Sequence, residues 1–296
     1  MSKNTIKNLV SIIMNCHNGE KFINRSIQSI LKQKYQNFEI IFYDNFSNDN
    51  TRKIIKQYKD KRINYYKSNK YLKLYDARNK AIKKSKGEYI TFLDVDDEWH
   101  KEKLKYQIEQ FYKFNHDVSY TNYWVGKYNK KKIFKKKIEC FDIKYQILND
   151  YPIGISTSMV KSYIFFKENY LFNKNYEIIG DFDFFFRISK RFKFKCINQP
   201  LVTLYNHGGN LSIKNLHLQI KEFKKWYKIN KLHLSRFKNN IKQVILTRQC
   251  NLLYSKRKLK FLSKELINLS SFPIKIKFYI KLILQLFRLD KIKIII

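Results

Sequence analysis

Glycine and proline are nearly missing from this chain, with 7 and 3 copies in 296 residues. Hydrophobic residues make up 44% and aromatics 17%, which excludes a disordered chain and implies a buried core. Cysteine is sparse as well. Cys16, Cys140, Cys196 and Cys250 lie far apart and form no C-x-x-C pair. That excludes the usual zinc and disulfide frameworks and suits a reduced, cytosolic setting. No stretch approaches roughly 18 uncharged apolar residues, so no transmembrane helix is expected. The apolar run 9–14 is too short for a signal peptide and lacks a cleavage site.

Acidic residues are the other shortage: 24 Asp and Glu stand against 61 Lys and Arg, a net charge of +37. Only 10 of those 61 cations are Arg. Lys, Asn, Ile, Phe and Tyr, which have A/T-rich codons, are over-used, while the G/C-coded Ala, Gly and Pro are rare. Base composition therefore accounts for much of the excess Lys. Nucleic-acid readers favour Arg for bidentate contacts, so nucleic acid is not the expected partner. The remaining field suits an anionic membrane surface or an anionic substrate.

Against that background the segment YITFLDVDDEW (89–99) sets Asp94, Asp96 and Asp97 at the end of an apolar run. Crowded carboxylates repel one another, and a divalent cation relieves the repulsion. Hard oxygen ligands suit Mg²⁺ or Mn²⁺, which commonly hold substrate phosphates. An acidic turn at a strand end is the alternative.

The flanking pattern alternates. Buried strands are expected at 9–14, 38–44, 63–68 and 88–94, and helices at 21–34, 50–59 and 75–86, the last ended by Gly87. Such βαβ units build a parallel sheet, and ligands bind beyond the carboxyl ends of its strands. Asn15, Asp44 and Asp94 all sit at such ends. Beyond residue 100 the expectation is a helix at 101–114, strands at 117–126 and 131–137, and a short helix at 142–149. A small polar stretch (154–160), an acid-led helix (178–192) and a strand with a Gly-rich loop (195–212) follow. From about 213 the pattern becomes Lys-rich and helical.

Several segments, in order, resemble a family 2 glycosyltransferase with the GT-A fold, over about residues 9–212. They are VSIIMNCHN (10–18), SILKQKYQNFEIIFYDNFSNDNT (29–51), ARNKAIKKSKGEYITFLDVDDEW (77–99) and GDFDFFFR (180–187). The resemblance implies an α/β fold: a Rossmann-like, mostly parallel central sheet flanked by helices, with a C-terminal helical extension. It divides the chain into a catalytic domain, 1–212, and a basic helical region, 213–296. The nucleotide half would be 1–99 and the acceptor half 100–212.

It also implies roles. Asp44 accepts the uracil ring N–H. Asn15 and His17 lie in the loop that contacts the base, and Arg78 faces the nucleotide or its phosphates. Asp96 is the metal ligand of a D-x-D motif. Asp94 bonds the ribose or reaches the metal through water, and Asp97 contacts the donor sugar or caps the next helix. His207 approaches the metal or diphosphate, and Ser156–Ser158 line the acceptor side. Asp181 is the general base of an inverting transfer, with Asp183 as its competitor. Three positions depart from the family's pattern: Asn45 stands where a second Asp is usual, Phe46 where Gly is, and Gly180 where Glu often precedes the base.

The implied cofactor is Mn²⁺ or Mg²⁺, with a UDP-sugar as donor. The implied partners are a bacterial surface-glycan or glycolipid acceptor and the anionic inner membrane; a homo-oligomer is left open. In FPIKIKFYIKLILQLFRLDKIKIII (272–296), Lys277, Lys281, Gln285 and Arg288 form one polar helical stripe. That stripe suits either a peripheral place on the cytoplasmic face of the membrane or packing on the catalytic domain or on a partner. Two other readings are carried: a sugar-nucleotide nucleotidyltransferase, and a non-catalytic basic binding protein. The first needs a Gly- and Lys/Arg-rich loop, yet residues 15–20 hold one Gly and no Arg.

Overall fold

The structure, a computed structural model, describes residues 5–127, 130–138, 142–149, 151–207, 209–230 and 246. The chain divides into two compact units: residues 1–147 with 151–207, and residues 148–150 with 208–296.

The first unit opens with β1 (Ile6–Cys16), α1 (Ile23–Leu31), β2 (Phe38–Asp44), α2 (Thr51–Gln57), β3 (Ile63–Lys67), α3 (Leu74–Ile82) and β4 (Gly87–Phe92). β1 pairs in parallel with β2 and β4, and β2 with β3. This is the alternation the sequence predicts. β2 is buried along its whole length, as a parallel strand covered on both faces must be. α1 starts where the Phe22 and Ile23 N–H groups donate to the Gly19 carbonyl. Ile23, Ile27 and Ile30 recur at helical spacing and are fully buried with Val10, Ile12 and Met14 of β1 in one core cluster. Each such side chain contributes about 1.5–3 kcal/mol on burial.

The unit continues with β5 (Glu98–Trp99), α4 (Lys103–Lys113), β6 (Val118–Lys127), β7 (Lys130–Ile133), α5 (Ile143–Asn149), a 3₁₀ turn (Ile155–Thr157), β8 (Ser158–Lys161), α6 (Tyr163–Phe166), α7 (Gly180–Ile188) and β9 (Phe194–Tyr205). Leu148 and Asn149, the last two residues of α5, fall in the second unit. Among the described residues the sheet has nine strands in the order β3-β2-β1-β4-β8-β6-β9-β5, with β7 on β6. β8 runs antiparallel to β4 and β6, whereas β6 and β9 are parallel. The mixed half therefore begins where β4 ends, beside the acidic cluster.

Three expectations change. The stretch 154–160, read only as small and polar, supplies β8. Its Ser and Thr side chains are buried because each finds a partner: Ser158 Oγ donates to the Ile155 carbonyl and Thr157 Oγ1 to Gly154. β5, two residues long, was not foreseen. Gly87 does not end the third helix, which closes at Ile82, but opens β4. A Cβ there would lie 2.5 Å from the Leu9 carbonyl oxygen and 2.7 Å from the Ser11 nitrogen, so the approach of β4 to β1 demands glycine.

In the second unit α8 (Leu211–Lys214) and α9 (Leu216–Asn230) are described, and α9 carries Lys221, Lys224, Lys225 and Lys228. The stripe at 272–296, most of the region 213–296, and Cys140 and Cys250 lie outside the described residues. Cys16 and Cys196 are buried free thiols. No described helix is long and apolar enough to cross a membrane.

Candidate active site

The register pairs Cys16 with Asp44, so the carboxyl ends of β1 and β2 lie side by side. Asp44 is fully buried. Its Oδ1 accepts the Ser47 N–H at 2.8 Å and its Oδ2 the Tyr65 hydroxyl at 2.6 Å. Burial, then the Asp44 charge, pushes the Tyr65 phenol up, so it remains a donor. Beside it Asn15 is 9% exposed, and neither atom of its amide has a partner among the described residues. Natural folds seldom leave a buried amide unpaired, so this one is poised for a ligand.

His17 is exposed. Its Nδ1 lies 3.0 Å from the Asn45 carbonyl, which can only accept, so Nδ1 carries the proton. Its ring meets Tyr71 edge-on at 4.8 Å. The departure at position 45 has a physical cause. Asn45 Nδ2 donates to the Leu72 carbonyl at 2.8 Å, and its Oδ1 accepts the Leu72 N–H at 3.0 Å. An aspartate could make only the second bond. Phe46 holds φ at 65°, in the left-handed region that favours glycine.

α3 reaches the acidic cluster. Arg78 is 2% exposed, which removes the option of an idle surface arginine. Its Nη2 bonds Asp94 Oδ1 at 2.7 Å, and its guanidinium lies 5.4–5.8 Å from the rings of Tyr75, Phe92 and Phe172. Arg78 thus spends one of its donors on Asp94; the resemblance implies that it faces the nucleotide or its phosphates. Burial raises the Asp94 carboxyl above its usual range, Arg78 opposes it, and the Asp96 and Asp181 charges add to it. Asp181, 87 residues away in sequence, is thereby electrostatically coupled to the cluster.

Asp96 Oδ2 meets His207 Nε2 at 2.9 Å, and the imidazole stacks on Phe22 with centroids 4.7 Å apart. Arg25 Nη2 donates to the Asp96 carbonyl while its guanidinium covers Tyr205 at 3.9 Å. Asp97 turns inward. It accepts the Ser156 hydroxyl at 2.7 Å and the Tyr205 N–H at 3.2 Å, and burial holds its carboxyl well above the ordinary range. It does not cap α4, whose N-cap is Glu102. Ser156 and Ser158 are fully buried, so neither lines an open acceptor surface.

Asp181 and Asp183 occupy the first turn of α7. Asp183 is 5% exposed and accepts Arg187 Nε at 2.8 Å. Asp181 is half-buried, and its Oδ1 accepts the Tyr75 hydroxyl at 3.0 Å. Tyr75, Arg25, Phe22 and Ser156 are the site residues that sequence reasoning missed or misplaced. Only Tyr75 left a signal, one helical turn before Arg78.

Asp96 and His207 offer a carboxylate oxygen and an imidazole nitrogen, a mixed donor set that fits Mn²⁺ better than the oxygen-preferring Mg²⁺, with phosphate oxygens completing the shell. Among the described residues no group of three or more such side chains exists, so those other ligands would have to come from substrate and water.

The family described as "Glycosyl transferase family 2" matches residues 11–197. A UDP-Glc:alpha-D-GlcNAc-diphosphoundecaprenol beta-1,3-glucosyltransferase, WfgD of Escherichia coli, is 40% identical over 151 residues, 50% of this chain and 58% of that protein. The chain spans about half the length of the curated relatives it matches. Staphylococcus aureus TarS 1–349 in complex with UDP-GlcNAc has a TM-score of 0.64 at 18% identity, covering 95% of this chain and 83% of that one. The mannosyltransferase PcManGT from Pyrobaculum calidifontis, in complex with GDP-Man and Mn²⁺, has a TM-score of 0.60 at 13% identity, covering 99% and 90%. The matched region holds both halves of the sheet, from Ser11 in β1 to Ile197 in β9, and on that ground the chain belongs to glycosyl transferase family 2 and has the GT-A fold.

Proposed function

We propose that the chain moves a sugar from a UDP-sugar to a hydroxyl of a lipid-linked or cell-envelope glycan, with inversion at the anomeric carbon. One observation carries the reading: Asp96 and His207 converge at the same sheet end where Asn15 leaves a buried amide unpaired. Asn15 reads the base, and Asp44, buried behind it and bonded to Ser47 and Tyr65, fixes the loop on which the base rests. Asp94, held by Arg78, faces the ribose, and Asp97 acts from behind by fixing the turn that presents Asp96.

A Mn²⁺ or Mg²⁺ held by Asp96 and His207 would supply Lewis-acid stabilisation of the leaving diphosphate. Asp181 takes the proton of the acceptor hydroxyl as that oxygen attacks the anomeric carbon. The bond from the anomeric carbon to the diphosphate oxygen breaks, and its electron pair leaves with UDP. Asp183 is tied to Arg187 and takes no part.

The acceptor class follows the E. coli relative, whose name specifies a diphosphoundecaprenol-linked GlcNAc. A polyprenyl acceptor would bring the basic chain to the inner leaflet, where its charge of +37 is attracted. The test is a panel of UDP-sugars assayed with Mn²⁺ for UDP release, with and without a GlcNAc-diphosphate lipid. Release that depends on both metal and acceptor is expected; silence across the panel overturns the proposal.

A further inference from the structure

Gly180 and Tyr75 are matched to each other. A Cβ on Gly180 would lie 2.4 Å from Tyr75 Cδ2, 2.5 Å from Cε2 and 2.7 Å from Cγ. No side chain fits there while the ring is in place, so the Glu that often precedes the family's base is excluded sterically. The ring itself is fixed. It is 2% exposed, stacks on Phe172 at 5.5 Å and lies beneath the Arg78 guanidinium. Its hydroxyl reaches Asp181 Oδ1 at 3.0 Å and the Ile178 carbonyl at 3.1 Å.

We propose that Tyr75 is the positioning residue of the Asp181 base, standing in for the side chain that Gly180 lacks. This rests on the reading of Asp181 as the base. The hydroxyl has one proton and two acceptors. While Asp181 is ionised, the proton points to Oδ1 and fixes the carboxylate plane, leaving Oδ2 for the acceptor hydroxyl. After Asp181 has taken the acceptor's proton on Oδ2, Oδ1 remains a carbonyl acceptor, so the Tyr75 hydroxyl keeps its bond to Oδ1, with the Ile178 carbonyl as its other acceptor. Both protonation states are satisfied without movement of the ring. The other groups acting on this site are Tyr151 on the chain leading to the 3₁₀ turn and Asp94 at the end of β4, the latter neutralised by Arg78. The Tyr151 hydroxyl also faces this carboxylate without forming a bond of good geometry, whereas Tyr75 makes one at 3.0 Å. One helix thus serves two carboxylates: Tyr75 holds Asp181 and, one turn on, Arg78 holds Asp94.

The test is Tyr75→Phe, which keeps the ring over Gly180 and removes only the hydroxyl. The donor is whichever of UDP-glucose, UDP-galactose and UDP-GlcNAc the wild-type protein turns over fastest. A fall in kcat of roughly tenfold is expected, with KM for the donor and Kd for UDP unchanged. In an Asp181→Asn background the same change should cost nothing further, because the hydroxyl acts only through the base. Wild-type kcat in Tyr75→Phe, or an additive loss in the double variant, overturns the proposal. Full turnover in Asp181→Asn overturns the base assignment instead. The steric half is tested without activity: Gly180→Ala should lower the melting temperature in the wild type and not in Tyr75→Ala, and equal losses in both would sink it.

Discussion

His207 Nε2 stands 2.9 Å from Asp96 Oδ2, a pairing made across 111 residues of sequence. Two chain segments with no local connection meet at one point, and the stacked Phe22 ring holds the imidazole there. As the protein's contribution to a cation site, the pair should be unequal. Asp96→Ala should abolish turnover. His207→Ala should leave a residual rate and weaken Mn²⁺ by on the order of 10- to 100-fold. Titrating Mn²⁺ against UDP release at fixed donor measures both. Identical Mn²⁺ dependence in wild type and His207→Ala would remove the imidazole from the cation's shell.

The two acids of α7 should separate cleanly. Asp181→Asn should lower kcat by on the order of 10²- to 10⁴-fold while UDP still binds. Asp183→Asn should keep its rate and instead lose roughly 1–3 kcal/mol of stability, because it removes the buried charge that pairs with Arg187. Steady-state kinetics beside thermal melts distinguishes them. The reverse assignment would show as a silent Asp183→Asn enzyme that melts normally.

How much of this was legible in the sequence varies with where each interaction is made. The parallel half was readable because each strand is a short buried run ended by a polar residue, and topology alone set Asn15, Asp44 and Asp94 at one sheet end. β8 was not readable: GISTSMV has neither apolar periodicity nor length, and its burial depends on partners in β4 and β6. Asp97 looked like a free member of an acidic triplet because the Ser156 and Tyr205 groups that occupy it lie 59 and 108 residues away. The absence of Glu at position 180 read as a loss, since the Tyr75 ring that fills its space lies on another helix.

Restoring the family's usual residue at position 45 should do harm. Asn45→Asp keeps the oxygen that accepts the Leu72 N–H but turns the donor to the Leu72 carbonyl into a second acceptor. The loss should be about 1–3 kcal/mol, with weaker UDP binding because the His17 loop hangs on the same residue. Chemical denaturation and UDP calorimetry would measure both. A gain in either would show that the clamp is not what selects asparagine.

Acid should act on the fold at His116, far from the chemistry. Its ring is stacked on Phe111 at 4.3 Å, and burial lowers its pKa from 6.5 to about 4. A histidine depressed by folding binds its proton more readily when unfolded. Its contribution is therefore complete above pH 6.5 and lost as pH falls from there toward about 4. The loss should be on the order of 2 kcal/mol, allowing for some solvent near the ring. His116→Phe keeps the stack and removes the titration, so its melting temperature should stay flatter over that interval. Parallel melting curves for the two proteins would refute the assignment.

Asn15 gives the sharpest separation of folding from function. Its amide is buried with no partner for either atom among the described residues, a state that costs roughly 1–3 kcal/mol in the free protein. An apolar residue of the same size removes that cost. Asn15→Leu should therefore melt higher than the wild type in the absence of ligand. The same change deletes the donor and the acceptor that a bound base would use, so UDP affinity should fall at least tenfold. UDP should accordingly raise the melting temperature of the wild type far more than that of the variant, since stabilisation by a ligand follows its affinity for the folded state. A purely structural asparagine predicts the opposite pattern: lower stability without ligand, and an unchanged response to UDP. Measuring both proteins with and without UDP decides whether the unpaired amide is a defect of the core or the floor of the nucleotide site.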